Sequence, residues 1–204
     1  MRSLLLGTSV LSSFFQVVPI VCVVGIIYGA LRYVKIKKNT YKVSWDRELI
    51  KLFFVCYITG LVNLVLTPAN MWSYIWFYIL NGYSGGSFVS FFDGSFNFVP
   101  SIFGYMTGSL ELGGWVKTML VGNVLMFVPM GVFLPIIWEK IKGLRAIVIS
   151  AAIPIVIEVL QPVIGRSVDI DDIIMNTLGI LTGCLAVFVY NKVSKRIQSK
   201  GKDL

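Results

Sequence analysis

The sequence predicts an all-α fold: a polytopic membrane protein of five transmembrane helices, with an aromatic interfacial segment between helices two and three. Three observations lead there. Of 204 residues, 56% are hydrophobic and only 14% are charged, whereas a soluble domain carries roughly 25% charged residues. Five apolar runs come close to the ~20 residues a helix needs to cross the hydrocarbon core. The basic residues gather at alternate ends of those runs, as topology signals do. A chain of this length forms one domain, so residues 1–204 are expected to be a single membrane domain with a basic tail from 191.

The first span covers residues 14–31. Arg32, Lys35, Lys37, Lys38, Lys42, Arg47 and Lys51 follow it, while Arg2 precedes it. Tyr28-Gly29-Ala30 is a poor cleavage context. An uncleaved signal-anchor with the N-terminus outside is therefore expected, rather than a cleaved signal peptide. The second span covers residues 49–67 and ends at Pro68.

Residues 68–115 are long for a connection between spans and hold half of the chain's aromatic residues, among them Trp72, Trp76, Phe91, Phe92, Phe96, Phe98 and Trp115. Such rings favour the headgroup region. Residues 71–80 are too short to span, so they lie flat or re-enter. Asp93-Gly94 is a turn signal that allows a short hairpin. Two readings stay open for this segment: an interfacial cap without chemistry, and a lid or lipid-facing substrate surface.

The third span, residues 118–138, carries Asn123, Phe127, Pro129 and Gly131. Pro129 frees a backbone carbonyl for a neighbour to bond. The fourth, residues 144–160, is the shortest. Pro154 removes one helix hydrogen bond, Glu158 and Gln161 share a face, and Pro162 ends the span. The fifth covers residues 173–190. Asp169 suits its N-cap, and the neighbouring acids suit the positive end of the helix. Asp172, Asn176, Gly179 and Gly183 follow in steps of four, three and four, tracing one stripe. Gly179-x-x-x-Gly183 lets another helix approach closely, which turns Asp172 and Asn176 towards the bundle interior.

By the positive-inside rule, residues 32–48, residues 139–143 with Lys140, Lys142 and Arg145 beside them, and the tail from 191 with Lys192, Lys195, Arg196, Lys200 and Lys202 face the cytoplasm. The tail is expected to lie at the anionic inner leaflet. Outer segments carry Asp93, Glu111, Glu158, Asp169, Asp171 and Asp172 against Lys117 and Arg166. The formal net charge of +8 is thus juxtamembrane, not the continuous basic face that nucleic acid requires. Cys22, Cys56 and Cys184 lie in apolar runs and read as small buried hydrophobes. The chain has no histidine, which excludes His-based catalysis and His-ligated metals and leaves carboxylate chemistry.

Ionisable groups inside a span are costly and call for a reason. Asn123, Glu158, Gln161, Asp172 and Asn176 share a depth near the outer ends of the last three spans, and Arg166 is the counter-ion. Two readings stand: neutralisation and capping alone, or a functional cluster. In the second, Glu158 and Asp172 are the candidate catalytic acid and base, and Asn123, Gln161, Arg166, Asp169 and Asn176 are the candidate substrate-binding residues. A divalent cation on Asp169, Asp171, Asp172 and Glu158 is a variant, but Asp169-x-Asp171 resembles no complete cation loop. No metal and no cofactor are expected.

These residues carry a resemblance. Asn123, then Phe127-Val-Pro129-Met-Gly131, Glu158-Val-Leu-Gln161, and Arg166-Ser-Val-Asp169-Ile-Asp-Asp172-Ile-Ile-Met-Asn176-Thr-Leu-Gly179-Ile-Leu-Thr-Gly183 match in order the pattern of the VanZ family of small bacterial membrane proteins. Asn97-Phe98-Val99-Pro100 resembles a shorter upstream element, with Ser101 where an aromatic is common. The resemblance covers residues 50–190. It implies a multi-pass protein of the bacterial cell membrane, linked to low-level resistance to teicoplanin and related lipid-bearing glycopeptide antibiotics. Three function classes remain: an envelope factor whose outer site binds a lipid or acyl chain, an intramembrane enzyme modifying an envelope lipid or lipid-linked precursor, and a lipid transporter, for which no internal repeat speaks. The expected partners are membrane lipids or a lipid-linked envelope molecule, not nucleic acid; a homo-oligomer stays open.

Overall fold

The computed structural model describes residues 10–38, 43–68, 71–82, 92, 94–101 and 114–200. Asp93, Glu111 and Phe91 lie outside these residues, as do the side chains of Trp115 and Lys117. The expected hairpin at Asp93-Gly94 is therefore only partly within reach.

Five helices are long and apolar enough to cross a membrane, and the protein is a multi-pass, all-α membrane protein. In chain order the elements are α1 (Val10–Lys38), α2 (Trp45–Val65), α3 (Met71–Asn81), β1 (Phe96–Asn97), α4 (Gly114–Ile137) and α5 (Leu144–Leu160). A 3-10 turn (Gln161–Ile164), β2 (Val168–Asp169) and α6 (Ile170–Lys200) complete it. At 1.5 Å per residue, α3 with its 11 residues is about 16 Å long, far short of the ~30 Å hydrocarbon core. The 31 residues of α6 make about 46 Å, so its basic end, with Lys192, Lys195 and Arg196, runs past any apolar layer.

The chain divides into two compact units, Met1–Ser95 with Leu160–Ser167, and Phe96–Val159 with Val168–Leu204. In the first, α1 packs along α2. A Cβ on Gly25 would stand 2.9 Å from Cys56 Sγ, and one on Gly60 would stand 3.6 Å from Val21 Cγ2. Where α1 ends and α2 begins, Arg32 grips Glu48 with two donors, Nε on Oε2 and Nη2 on Oε1 at 2.8 Å. Lys51 adds a bond to Glu48 at 3.1 Å. The other end of α1 is tied to α3. Buried Gln16 donates to Ser73 Oγ at 2.9 Å, and its carbonyl accepts from Trp76 Nε1 at 3.0 Å.

In the second unit, α4 and α6 approach backbone to backbone. A Cβ on Gly131 would fall 1.9 Å from the Ile180 oxygen, one on Gly179 2.3 Å from the Val124 oxygen, and one on Gly183 2.2 Å from the Val128 oxygen. No real Cβ fits at such distances, so these three positions require glycine. Phe127 and Ile180 are fully buried, with Met130 and Leu134 also in the core. On α5, Ala146, Ser150, Pro154, Ile157 and Glu158 form one buried face. Their spacing of four, four, three and one follows the helical repeat. β1 and β2 add a two-residue parallel pairing, Phe96 with Val168 and Asn97 with Asp169.

Candidate functional site

Local sequence places two groups of the expected site residues. The first closes α2. A helix leaves its last four carbonyls without intrahelical partners, and Pro68 follows too closely for the helix to continue. The four carbonyls of α2 are met one by one. The Val62 oxygen accepts from Leu66 N at 2.8 Å, and the Asn63 oxygen from Thr67 Oγ1 at 2.6 Å. The Leu64 oxygen accepts from Arg166 Nη1 at 2.8 Å, and the Val65 oxygen from Gln161 Nε2 at 3.3 Å. Arg166 Nη1 also reaches the Thr67 oxygen at 3.4 Å. A guanidinium suits this negative helix end.

The segment that delivers both side chains is itself pinned. Gly165 is left-handed (φ 72°), and Arg166 N bonds the Gln161 oxygen at 3.0 Å. Ser167 Oγ meets Ser95 Oγ at 2.7 Å. A Cβ on Gly94 would fall 2.0 Å from the Arg166 carbonyl oxygen, so the 94–95 segment and the 165–167 turn touch through their backbones.

The second group lies at the start of α6. Asp169 caps the helix as expected, its Oδ1 accepting from Asp171 N at 2.9 Å. The Asp169 N–H donates to Glu158 Oε2 at 3.0 Å. Glu158, only 1% exposed, therefore fixes the turn into α6. Asn97 Nδ2 reaches both Asp169 oxygens at 3.4 Å, and Asn97 Oδ1 accepts from Val99 N at 3.2 Å. The Asp171 carboxylate takes the Ser101 N–H at 3.1 and 3.0 Å. One turn into α6, Asp172 accepts from Asn123 Nδ2 of α4.

Asn176 is one further turn along the same stripe. It lies between Asp172 and Gly179, both of which touch α4, and it is 3% exposed. Its Oδ1 has no hydrogen-bond partner. The other such buried atom among the described residues is Trp72 Nε1 on α3. Buried polar groups are nearly always satisfied, which makes the open acceptor at Asn176 informative. Among the described residues, no three acids or thiols converge as a metal-ligand set.

Asn123, Glu158, Asp169, Asp172 and Asn176 thus belong to one unit, and Gln161 and Arg166 to the other, where they hold α2. Sequence reasoning left Asn97 out of the site and named Asp171 only as a possible cation ligand. Asn97 anchors Asp169, and its only signal was the short Asn-x-x-Pro element. Asp171 anchors the 97–101 segment; nothing but its acidity singled it out.

Compared with known proteins, the chain matches the family model described as VanZ/LLP1 over residues 17–191. No curated protein and no solved structure matches it.

Proposed function

This chain belongs to the VanZ/LLP1 family, and we propose that it lowers the susceptibility of a bacterial cell to teicoplanin and related lipid-bearing glycopeptides. Its working part is a polar site at one end of α4, α5 and α6 that holds the polar group of an envelope lipid or other amphiphile. The family's association with teicoplanin resistance supports the antibiotic. The positive-inside pattern supports an outward site, since Lys140, Lys142, Arg145 and the α6 tail lie at the opposite ends of these helices.

The single observation that carries the reading is the open acceptor of Asn176 beside the Asn123–Asp172 bond. An unmet buried oxygen costs about 1–3 kcal/mol unless a group from outside the chain, such as a ligand or a water, donates to it. A site for a ligand leaves one open.

A second reading is intramembrane catalysis on a lipid-linked precursor. The near-complete burial of the Glu158 carboxylate favours it, as ionisable groups held inside a membrane usually serve a function.

The test is killing by teicoplanin and by vancomycin, which lacks the acyl chain, in a susceptible Gram-positive host. Wild type, Glu158→Gln and Asp172→Asn are compared at matched membrane abundance. Selective protection against teicoplanin that both variants lose is the expected result. No protection by wild type removes the proposal. Lipid analysis of the protected cells then separates binding, with no new species, from catalysis, with an altered lipid.

A further inference from the structure

Two large rings lie open at Phe96 and Phe98. They are 62% and 68% exposed, and they stack on each other with centroids 6.1 Å apart. An apolar patch that a fold leaves uncovered marks a contact surface. The chain that carries the rings is tied down at three places. Phe96 pairs with Val168, the Asn97 amide reaches the Asp169 carboxylate, and the Asp171 carboxylate takes the Ser101 N–H.

The same ties set the depth of the rings. Ile170 begins a helix long and apolar enough to span a membrane, and after Asp172 its sequence turns apolar at Ile173. At 1.5 Å per residue, Asp171 stands about 3 Å outside that apolar run. Phe98 lies between Asn97 and Ser101, whose partners are Asp169 and Asp171, so it shares the level of the first turn of α6. A bilayer keeps its headgroup layer there, roughly 5–8 Å deep, and aromatic rings favour that layer. Residues 94–101 carry no charge. Nothing in the segment selects a charged partner, and the surface fits the apolar edge of a leaflet.

We propose that the Phe96–Phe98 stack docks on lipid. The two rings enter the leaflet in which α6 begins and rest where its headgroups meet its acyl chains. This surface is separate from the polar site proposed above, because its partner is the bilayer itself. The headgroup layer is wet on its outer side, so the chain carrying the rings stays in reach of water.

The experiment uses the full-length chain with Cys22, Cys56 and Cys184 replaced by serine, reconstituted in phosphatidylcholine nanodiscs. A single bimane-labelled cysteine is placed by Phe98→Cys, by Phe96→Cys, or by Lys195→Cys at an exposed position towards the other end of α6. Quenching is read with three agents: phosphatidylcholine bearing a nitroxide near the carbonyl end of its acyl chain, the same lipid with the nitroxide near the methyl end, and aqueous iodide. The two aromatic positions are expected to emit to the blue of the Lys195→Cys adduct. The shallow nitroxide quenches them several-fold more than it quenches that adduct, and more than the deep nitroxide does. Most of the iodide quenching is lost.

Emission and iodide quenching equal to those of the Lys195→Cys adduct put the rings in water and overturn the proposal. Blue emission untouched by either nitroxide overturns it too, since protein then covers the rings. Stronger quenching by the deep nitroxide contradicts the depth set by Asp169 and Asp171, with the same consequence. If one aromatic variant fails to fold, the other decides alone.

Discussion

Arg166 donates from Nη1 to the carbonyl oxygen of Leu64 at 2.8 Å, across 102 residues of chain. With Gln161 on the Val65 oxygen, it completes a helix end that α2 cannot complete for itself.

Removing either side chain therefore leaves a helix carbonyl without a donor. Arg166→Ala is expected to destabilise the protein by about 2–3 kcal/mol and Gln161→Ala by about 1–2 kcal/mol. Arg166→Lys loses less, because one ammonium donor still reaches one oxygen. Thermal unfolding in detergent checks the order. An Arg166→Ala protein as stable as wild type would show that the carbonyls find other donors.

The close approach of α4 and α6 predicts a contrast on a single helix. Gly131→Ala puts a methyl 1.9 Å from a backbone oxygen, while at Gly122 nothing lies within 4 Å. Overpacking costs about 1–3 kcal/mol even where side chains can yield, and here a backbone must move. Gly131→Ala, like Gly183→Ala, is expected to abolish stable membrane accumulation, and Gly122→Ala to leave it unchanged. Measured abundance after a translation block decides. Equal half-lives for Gly122→Ala and Gly131→Ala contradict the packing.

Asp169 has a capping duty that can be separated from charge. Asp169→Ala removes the acceptor of Asp171 N and is expected to cost about 1 kcal/mol, whereas Asp169→Asn keeps an oxygen in place and costs little. Chemical or thermal unfolding of the two variants distinguishes them. Equal losses would mean that the cap is not what Asp169 contributes.

Asn123 and Asp172 should be coupled. A double-mutant cycle of Asn123→Ala and Asp172→Ala, read by thermal unfolding, is expected to give an interaction of about 1–2 kcal/mol. Additive losses would place the two side chains apart.

The spans were legible because lipid demands long apolar runs, and the N-cap at Asp169 and the stripe from Asp172 to Gly183 followed from helical spacing. The helix ends were less legible. α1 and α6 continue to Lys38 and Lys200, since hydropathy marks where lipid stops, not where Lys-rich helix stops. The partner of the glycine stripe was visible only in part, because close approach to Gly131 is written in backbone atoms.

Arg166 shows the same limit more sharply. Its bonds to the backbone carbonyls of Leu64 and Thr67 leave no trace in residue identity. The pairing of Asn97 with Asp169 is two residues long, too short for strand alternation to appear. The hairpin allowed by the turn signal at Asp93-Gly94 lies largely outside the described residues; beyond it, residues 96–97 pair in parallel with residues 168–169.

The central claim is that the Asn123–Asp172–Asn176 end of α4 and α6 opens outside the cell, where a glycopeptide acts. Its most direct measurement is thiol labelling of intact cells with a membrane-impermeant maleimide, after Cys22, Cys56 and Cys184 are replaced by serine. Val99, 66% exposed and two residues from Asn97, becomes cysteine in one protein, and exposed Lys192 near the other end of α6 in a second. Val99→Cys is expected to label in intact cells and Lys192→Cys only after lysis. Labelling of Lys192→Cys in intact cells, with Val99→Cys protected until lysis, would put the site on the cytoplasmic side and contradict it.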